Sequence, residues 1–148
     1  MPVELSLLPA HVTGPYTRLV LTSSPMRILV ADDEADVRLL LELALGDAPG
    51  VALTVVSSGR AAIERALAER FDLIVLDGLM PDLDGAATCR ALKNDPRTAF
   101  VPVVFLTALS SDAARAEMRV AGAAGFVAKP FDPLGIAAQL TAFVHTRN

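Results

Sequence analysis

The stretch FDLIVLDGLMPDLDG, residues 71–85, decides how the rest of the chain is interpreted. Four apolar residues, 73–76, run directly into the carboxylate of Asp77, and two glycines, a proline and two more acids follow. Such a run is typical of a short buried strand that ends in an irregular loop. In open α/β sheets, ligands bind at the carboxyl ends of the strands. The stretch therefore predicts that Asp77 lies at a functional site.

Four other apolar runs repeat this pattern along the chain. They occupy residues 28–31, 51–56, 101–106 and 125–128. The five starts are 22 to 28 residues apart, which leaves room for one helix between successive strands, as in parallel βαβ units. The runs are continuously apolar, as expected where helices cover both faces of a sheet. The sequence therefore predicts a single doubly wound α/β sandwich of three layers, a (βα)5 fold with a parallel five-stranded sheet.

The segments between the runs carry helix signals. Apolar residues recur with helical spacing between residues 37 and 45. N-caps are expected at Ser58, Asp84 and Ser111. Asp132 followed by Pro133 predicts a last helix whose first residue is the proline. These signals predict five helices, one after each strand.

Residues 1–25 do not share the repeating pattern. They contain four prolines and no sustained period of a helix or strand. We predict that they form an N-terminal extension that is mobile or loosely docked. Residues 26–148 are predicted to form one folded domain, for which the length of the chain is sufficient.

Composition excludes several classes of protein. Of the 148 residues 53% are hydrophobic, which disfavours disorder, and a formal net charge of −4 disfavours direct nucleic-acid binding. The single Cys89 excludes an internal disulfide. No apolar run approaches the roughly 20 residues of a membrane span, and the first residues lack a secretory pattern. We therefore predict a cytoplasmic protein that does not interact with membranes.

Polar residues that follow the predicted strands form a candidate site. They are Asp32, Asp33 and Glu34 after the first strand, Asp77 after the third, Thr107 after the fourth and Lys129 after the fifth. Carboxylates brought together at neutral pH repel one another unless one is protonated or a cation lies among them. An all-oxygen ligand set favours Mg²⁺ over zinc. With a hydroxyl and an ammonium beside it, such a site suits phosphoryl transfer onto Asp77.

From residue 26 onward the chain resembles the receiver domain of bacterial two-component response regulators. The segments that carry the likeness are ILVADDE (28–34), LIVLDGLMP (73–81), Asp84-Gly85, FLTA (105–108) and GAAGFVAKPF (122–131). The resemblance is to a stand-alone, chemotaxis-regulator-like receiver, and it implies a flavodoxin-like sheet of strand order 2-1-3-4-5.

The resemblance also implies a role for each site residue. Asp77 would be the phosphoacceptor, and Mg²⁺ would be bound by Asp32, Asp33, Asp77 and the backbone carbonyl of Leu79. Thr107 and Lys129 would contact the phosphoryl oxygens, and Phe126 would be the switch aromatic that moves together with Thr107. A cis peptide bond is implied between Lys129 and Pro130.

The partners that the resemblance implies are a histidine kinase or a histidine phosphotransfer protein as phosphodonor and a downstream protein as target. The target would bind the face of the fourth helix, fifth strand and fifth helix. The chain would be a monomer or weak dimer. It would not be an enzyme beyond its own phosphorylation and autodephosphorylation.

Two alternative functions remain at this point. The first is a Mg²⁺-dependent phosphohydrolase with an aspartyl nucleophile, but such enzymes carry an acid two residues after the nucleophile, where this chain has Leu79. The second is a receiver-like interaction module without phosphate turnover, which the intact set of site residues disfavours. We further hypothesise that Leu79 and Leu109, beside the path of the hydrolytic water, make the phosphorylated state long-lived.

Overall fold

A computed structural model describes residues 24–145 of the chain. The predicted extension, residues 1–25, lies outside these described residues except for Ser24 and Pro25. The five strands are β1 Met26–Ala31, β2 Val51–Val56, β3 Leu73–Leu76, β4 Val103–Thr107 and β5 Gly125–Ala128. The five helices are α1 Ala35–Leu45, α2 Gly59–Ala68, α3 Gly85–Asn94, α4 Asp112–Ala121 and α5 Ile136–His145.

All five strands are parallel and lie in the order β2-β1-β3-β4-β5. This confirms the predicted fold class and strand order. β3 lies at the centre of the sheet, with Ala31 of β1 opposite Leu76 on one side and Phe105 of β4 opposite Leu76 on the other. The residues that follow β1, β3 and β4 therefore emerge at the same edge of the sheet, around Asp77.

Two hydrophobic clusters cover the two faces of the sheet. Successive strand residues point to opposite faces, so Ile74 and Leu76 belong to one cluster while Leu73 and Val75 belong to the other. Residues of α2, α3 and α4 complete the first cluster, and residues of α1 and α5 complete the second. All four residues of β3 are fully buried, which explains their continuous apolar character.

Three of the predicted N-caps are confirmed. Ser58, Asp84 and Ser111 each accept a hydrogen bond from the backbone N–H three residues further along, at 3.1, 2.8 and 3.1 Å respectively. These bonds satisfy N–H groups that have no partner inside the helix.

The starts of three elements differ from the sequence prediction, and the first of them is β1, which begins at Met26 rather than at residue 28. β4 begins at Val103 rather than at residue 101, because Pro102 has no N–H to donate to the sheet. The last helix begins at Ile136 rather than at Pro133, since residues 133–135 form a turn instead. Asp132 accepts the Leu134 N–H at 3.0 Å within that turn, which leads into α5. Among residues 24–145, no helix combines the length and the apolar character needed to cross a bilayer.

Candidate phosphoryl-transfer site

Asp77 directly follows β3 and is only 4% exposed. Its backbone N–H donates to the Ala31 carbonyl at 3.0 Å, so the sheet hydrogen bonding continues up to Asp77 itself. Its Oδ1 accepts the Leu79 N–H at 3.1 Å, and its Oδ2 lies 3.1 Å from Lys129 Nζ. These contacts fix the orientation of the carboxylate at the edge of the core.

Asp32 and Asp33 follow β1 and form an aspartate cluster with Asp77. One carboxylate oxygen from each of the three residues lies within 4.8 Å of the others. Asp32 is 1% exposed, whereas Asp33 is exposed. The structure thus brings together the three acidic side chains that the sequence singled out, one of them open to solvent.

Lys129 follows β5, and its ammonium group reaches the aspartate cluster. Its Nζ lies 2.7 Å from Asp32 Oδ2, 3.1 Å from Asp77 Oδ2 and 3.1 Å from Glu34 Oε1. The Lys129 side chain is 11% exposed. The peptide bond between Lys129 and Pro130 is cis, as the resemblance implied. One ammonium group therefore contacts three carboxylates contributed from two strand ends.

Burial and charge act in opposite directions on these groups. Burial raises the pKa of Asp32 above its usual value, although the contact with Lys129 opposes the rise. Burial alone would lower the pKa of Lys129, but its contacts with Asp32, Glu34 and Asp77 outweigh burial and raise that pKa. Lys129 is therefore positively charged at neutral pH and forms ion pairs with the three carboxylates.

Thr107 is the last residue of β4 and is 3% exposed. Its Oγ1 accepts the Leu109 N–H at 3.1 Å. A Cβ atom added to Gly78, the residue after Asp77, would lie 3.0 Å from Thr107 Oγ1 and 2.9 Å from Leu109 Cδ1. The absence of a side chain at Gly78 therefore lets Thr107 and Leu109 pack directly beside the acceptor residue.

Phe126 lies in β5 opposite Phe105 of β4, and their ring centroids are 6.4 Å apart. Phe126 is half-buried and packs against the cluster of α2, α3 and α4. The guanidinium carbons of Arg115 and Arg119, both on α4, lie 5.2 and 5.1 Å from its ring centroid. The predicted switch aromatic is therefore one strand away from Thr107 and is held from the helix side by two cations.

The donors of the aspartate cluster fit a divalent metal ion. The oxygens are hard ligands at mutual distances that one ion can bridge. Among the described residues, the buried Oδ2 of Asp32 has no well-directed hydrogen bond, although Lys129 Nζ lies 2.7 Å away, so this oxygen keeps lone pairs for a cation. Leu79, whose carbonyl is the fourth predicted ligand, follows Asp77 by two residues, and its side chain is 59% exposed.

Sequence reasoning did not predict the contacts of three residues around the site. Glu34 was recognised only as a polar residue at a strand end, yet it pairs with Lys129 at a separation of 95 residues along the chain. The contacts of Arg115 and Arg119 with the Phe126 ring are not among the sequence predictions. Their spacing of four residues on one helix, opposite a strand with an aromatic residue, is the signal that could have indicated them.

Comparison with known families agrees with this geometry. A family model described as the response regulator receiver domain matches residues 28–141. The response regulator PleD of Caulobacter vibrioides is 41% identical over 115 residues, which cover 77% of this chain and 25% of PleD. The transcriptional regulatory protein ResD of Bacillus subtilis is 35% identical over 118 residues, covering 80% of this chain and 48% of ResD. The chain thus spans a quarter to about half of the length of these relatives.

Solved structures share the fold over almost their whole length. The chemotaxis response regulator CheY4 of Vibrio cholerae superposes with a TM-score of 0.75 at 29% identity, covering 81% of this chain and 99% of CheY4. The receiver domain of the sensor histidine kinase PA1611 from Pseudomonas aeruginosa gives a TM-score of 0.74 at 27% identity, covering 82% and 99% of the two chains. That structure contains a magnesium ion coordinated in the active-site cleft.

Proposed function

Because this chain belongs to the family of response regulator receiver domains, we propose that it is a phosphorylation-dependent switch of a two-component or phosphorelay system. The observation that carries the proposal is the buried Asp77 carboxylate. It belongs to the aspartate cluster, and one of its oxygens lies 3.1 Å from the ammonium group of Lys129. A carboxylate so placed is oriented as a nucleophile and is partly neutralised.

The reaction that we propose is phosphoryl transfer from a phosphohistidine. An oxygen of Asp77 attacks the phosphorus atom, a P–O bond forms, and the P–N bond to the histidine ring breaks. The ring nitrogen leaves with the bonding electrons and takes up a proton. Catalysis of such a transfer is mostly a matter of positioning and charge neutralisation.

Mg²⁺ is the cofactor that we propose. Asp32, Asp33, Asp77 and the Leu79 carbonyl would hold the ion, which when bound neutralises phosphoryl oxygens. Lys129 would keep its charge near Asp77 and pair with a phosphoryl oxygen. Thr107 would exchange its bond with the Leu109 N–H for one in which its hydroxyl donates to the phosphoryl group.

The partners follow from this chemistry. A histidine kinase or a histidine phosphotransfer protein would supply the phosphoryl group in the cytoplasm, and a downstream protein would bind the face formed by α4, β5 and α5. Phe126 lies on that face, beside β4, which ends at Thr107. We propose no direct contact with nucleic acid and no activity on a separate substrate. The chain would act as a monomer or weak dimer.

The test is incubation with acetyl phosphate and Mg²⁺, followed by measurement of intact mass. We expect the added mass of one phosphoryl group in the wild type and none in Asp77→Asn. Turnover of a phosphate ester without an adduct would instead indicate the phosphohydrolase. An unmodified chain under all conditions would indicate an interaction module without phosphate turnover.

A further inference from the structure

We propose that the face formed by α4, β5 and α5 selects partner segments that place carboxylates beside an apolar anchor. The inference takes this face as the output surface, as in the proposed function, and adds the chemistry of the partner. It rests on two arginines, one aromatic ring and a groove along the edge strand of the sheet.

Arg115 and Arg119 are cations without acidic partners among residues 24–145. Both guanidinium groups lie over the ring of Phe126, and neither forms an ion pair with a carboxylate in that part of the chain. Arg27, Arg65 and Arg97 have a carboxylate at 2.7 Å, whereas Arg38, Arg60, Arg70 and Arg90 also form no ion pair within residues 24–145, so the feature particular to Arg115 and Arg119 is their shared position over one ring. The Nε of Arg115 is also buried and has no hydrogen-bond partner among the described residues. An aromatic face is a weaker partner for such groups than a carboxylate.

An apolar groove runs beside these cations. Its volume is about 340 Å³, and it is lined by Ala124, Phe126, Val127, Gln139, Ala142 and Phe143. Gly125 leaves the space for the Phe143 ring, since a Cβ atom there would overlap that ring. Within residues 24–145, β5 is the edge strand of the sheet, and the groove lies along it. The groove is at the small end of the size range of ligand pockets, which suits one or two apolar side chains of a protein segment.

The two features share the side chain of Phe126. Its ring lines the groove and also receives both guanidinium groups. A segment that inserts an apolar side chain therefore brings its neighbouring residues close to Arg115 and Arg119. Carboxylates at those neighbours would form charge-assisted hydrogen bonds, and lysines there would be repelled.

The same geometry couples the partner to the switch. A carboxylate that draws Arg115 or Arg119 away from the ring removes a contact that holds Phe126 against α4. Phe126 stacks on Phe105, two residues before Thr107 in β4. Since the same ring lines the groove that takes the apolar anchor, movement of Phe126 changes the groove, and phosphorylation and partner binding therefore affect each other.

The test is a selection from displayed random peptides against the full 148-residue chain, without phosphodonor. We expect the enriched peptides to contain Asp or Glu next to an aromatic or leucine residue. Arg115→Gln combined with Arg119→Gln should lower the affinity for a synthesised enriched peptide by about tenfold or more. Arg60→Gln combined with Arg90→Gln removes the same charge from exposed positions of α2 and α3 and should leave the affinity unchanged.

Three results would overturn the inference. One is that selection on the wild-type chain enriches no peptide more strongly than selection on the Arg115→Gln, Arg119→Gln variant does. Another is that the enriched peptides are neutral or basic. The third is that a single-stranded oligonucleotide competes with the peptides for Arg115 and Arg119 and binds more tightly than they do. Because the selection needs no phosphodonor, a chain that acetyl phosphate fails to modify would contradict the proposed function without deciding this one.

Discussion

Gly78 shows how one missing side chain shapes the site. The residue follows Asp77, and the Thr107 hydroxyl and the Leu109 side chain fill the space where its Cβ would be. The backbone of Gly78 is not in the left-handed region, so the requirement for glycine is one of space. Gly78 therefore links the packing of the residues that follow β3 to the packing of the residues at the end of β4.

Gly78→Ala tests this packing. Overpacking costs about 1–3 kcal/mol, and the reduced entropy of the unfolded chain offsets about 0.4–1 kcal/mol of it, so we expect a net loss of up to about 2.5 kcal/mol. Displacement of Thr107 should also slow phosphorylation by acetyl phosphate by about tenfold or more. Urea denaturation and time-resolved intact mass measure the two effects.

Gly135→Ala is the matched control for this substitution. Its new Cβ would lie 3.1 Å from Asp132 Oδ2, the end of a side chain that can move aside. It should change neither stability nor phosphorylation rate appreciably. A Gly78→Ala variant that behaves in the same way would show that Gly78 does not set the position of Thr107.

Leu79 is expected to control the lifetime of the phosphorylated state. Its side chain is 59% exposed beside Asp77 and has no group that can orient a water molecule. We expect Leu79→Asn to lose its phosphoryl group several-fold faster than the wild type after removal of the donor, as followed by intact mass. Leu43→Asn, at a 73% exposed position of α1, should leave the rate unchanged. Slower loss from Leu79→Asn than from the wild type would contradict the hypothesis.

At the level of elements, hydrogen bonds at helix starts fix how each helix leaves its strand. Ser58 caps α2, and the next residue back, Ser57, is exposed and makes no side-chain hydrogen bond within residues 24–145. The two neighbouring serines therefore form a natural matched pair for measuring the cap.

Ser58→Ala should lower the free energy of unfolding by about 1 kcal/mol, because the Ala61 N–H loses its acceptor. The corresponding fall in Tm is about 3–5 °C for a domain of this size. Ser57→Ala should stay within about 0.5 kcal/mol of the wild type. Equal thermal stability of the two variants, measured by circular dichroism, would show that the cap contributes nothing.

The elements were largely predictable from the sequence, because their signals are local. The apolar runs and the cap residues act over a few residues, and the structure follows them. The errors at β4 and α5 are also local in origin. Pro102 lacks an N–H for the sheet, and the turn after Asp132 delays the helix by about one turn.

Across the whole molecule, the parallel sheet makes one site from residues that are far apart in sequence. This is why the aspartate cluster was predictable, since any residue that follows a parallel strand emerges at the same edge. Contacts that depend on side-chain conformation were not predictable. The Glu34–Lys129 pair and the two arginines over Phe126 require knowledge of which rotamers the packed elements allow.

Binding of Mg²⁺ to the aspartate cluster should stabilise the entire fold. At ten times its Kd, an ion that binds only the folded state adds about 1.4 kcal/mol, which raises Tm by roughly 4–7 °C. Asp33→Asn should abolish the increase, because Asp33 is the solvent-exposed member of the cluster and is proposed as a ligand of the ion. Thermal denaturation with and without MgCl₂ measures it.

Asp36→Asn is the control for the magnesium experiment. It removes the same charge from an exposed position in the first turn of α1, outside the cluster. It should reduce stability slightly through the helix dipole, yet keep the full response to MgCl₂. An identical response of Asp33→Asn and Asp36→Asn would mean that the ion binds elsewhere.

The ion pairs of the Lys129 ammonium group with Asp32, Glu34 and Asp77 have a consequence for the folding of the newly synthesised chain. The acids already possess a counterion that is part of the polypeptide, so the fold does not have to wait for metal to be assembled. Proteins whose cores are built around an ion stay unfolded until it arrives. We therefore expect folding and phosphorylation to differ in their need for metal: the chain should fold without Mg²⁺, and only the proposed phosphorylation should require the ion.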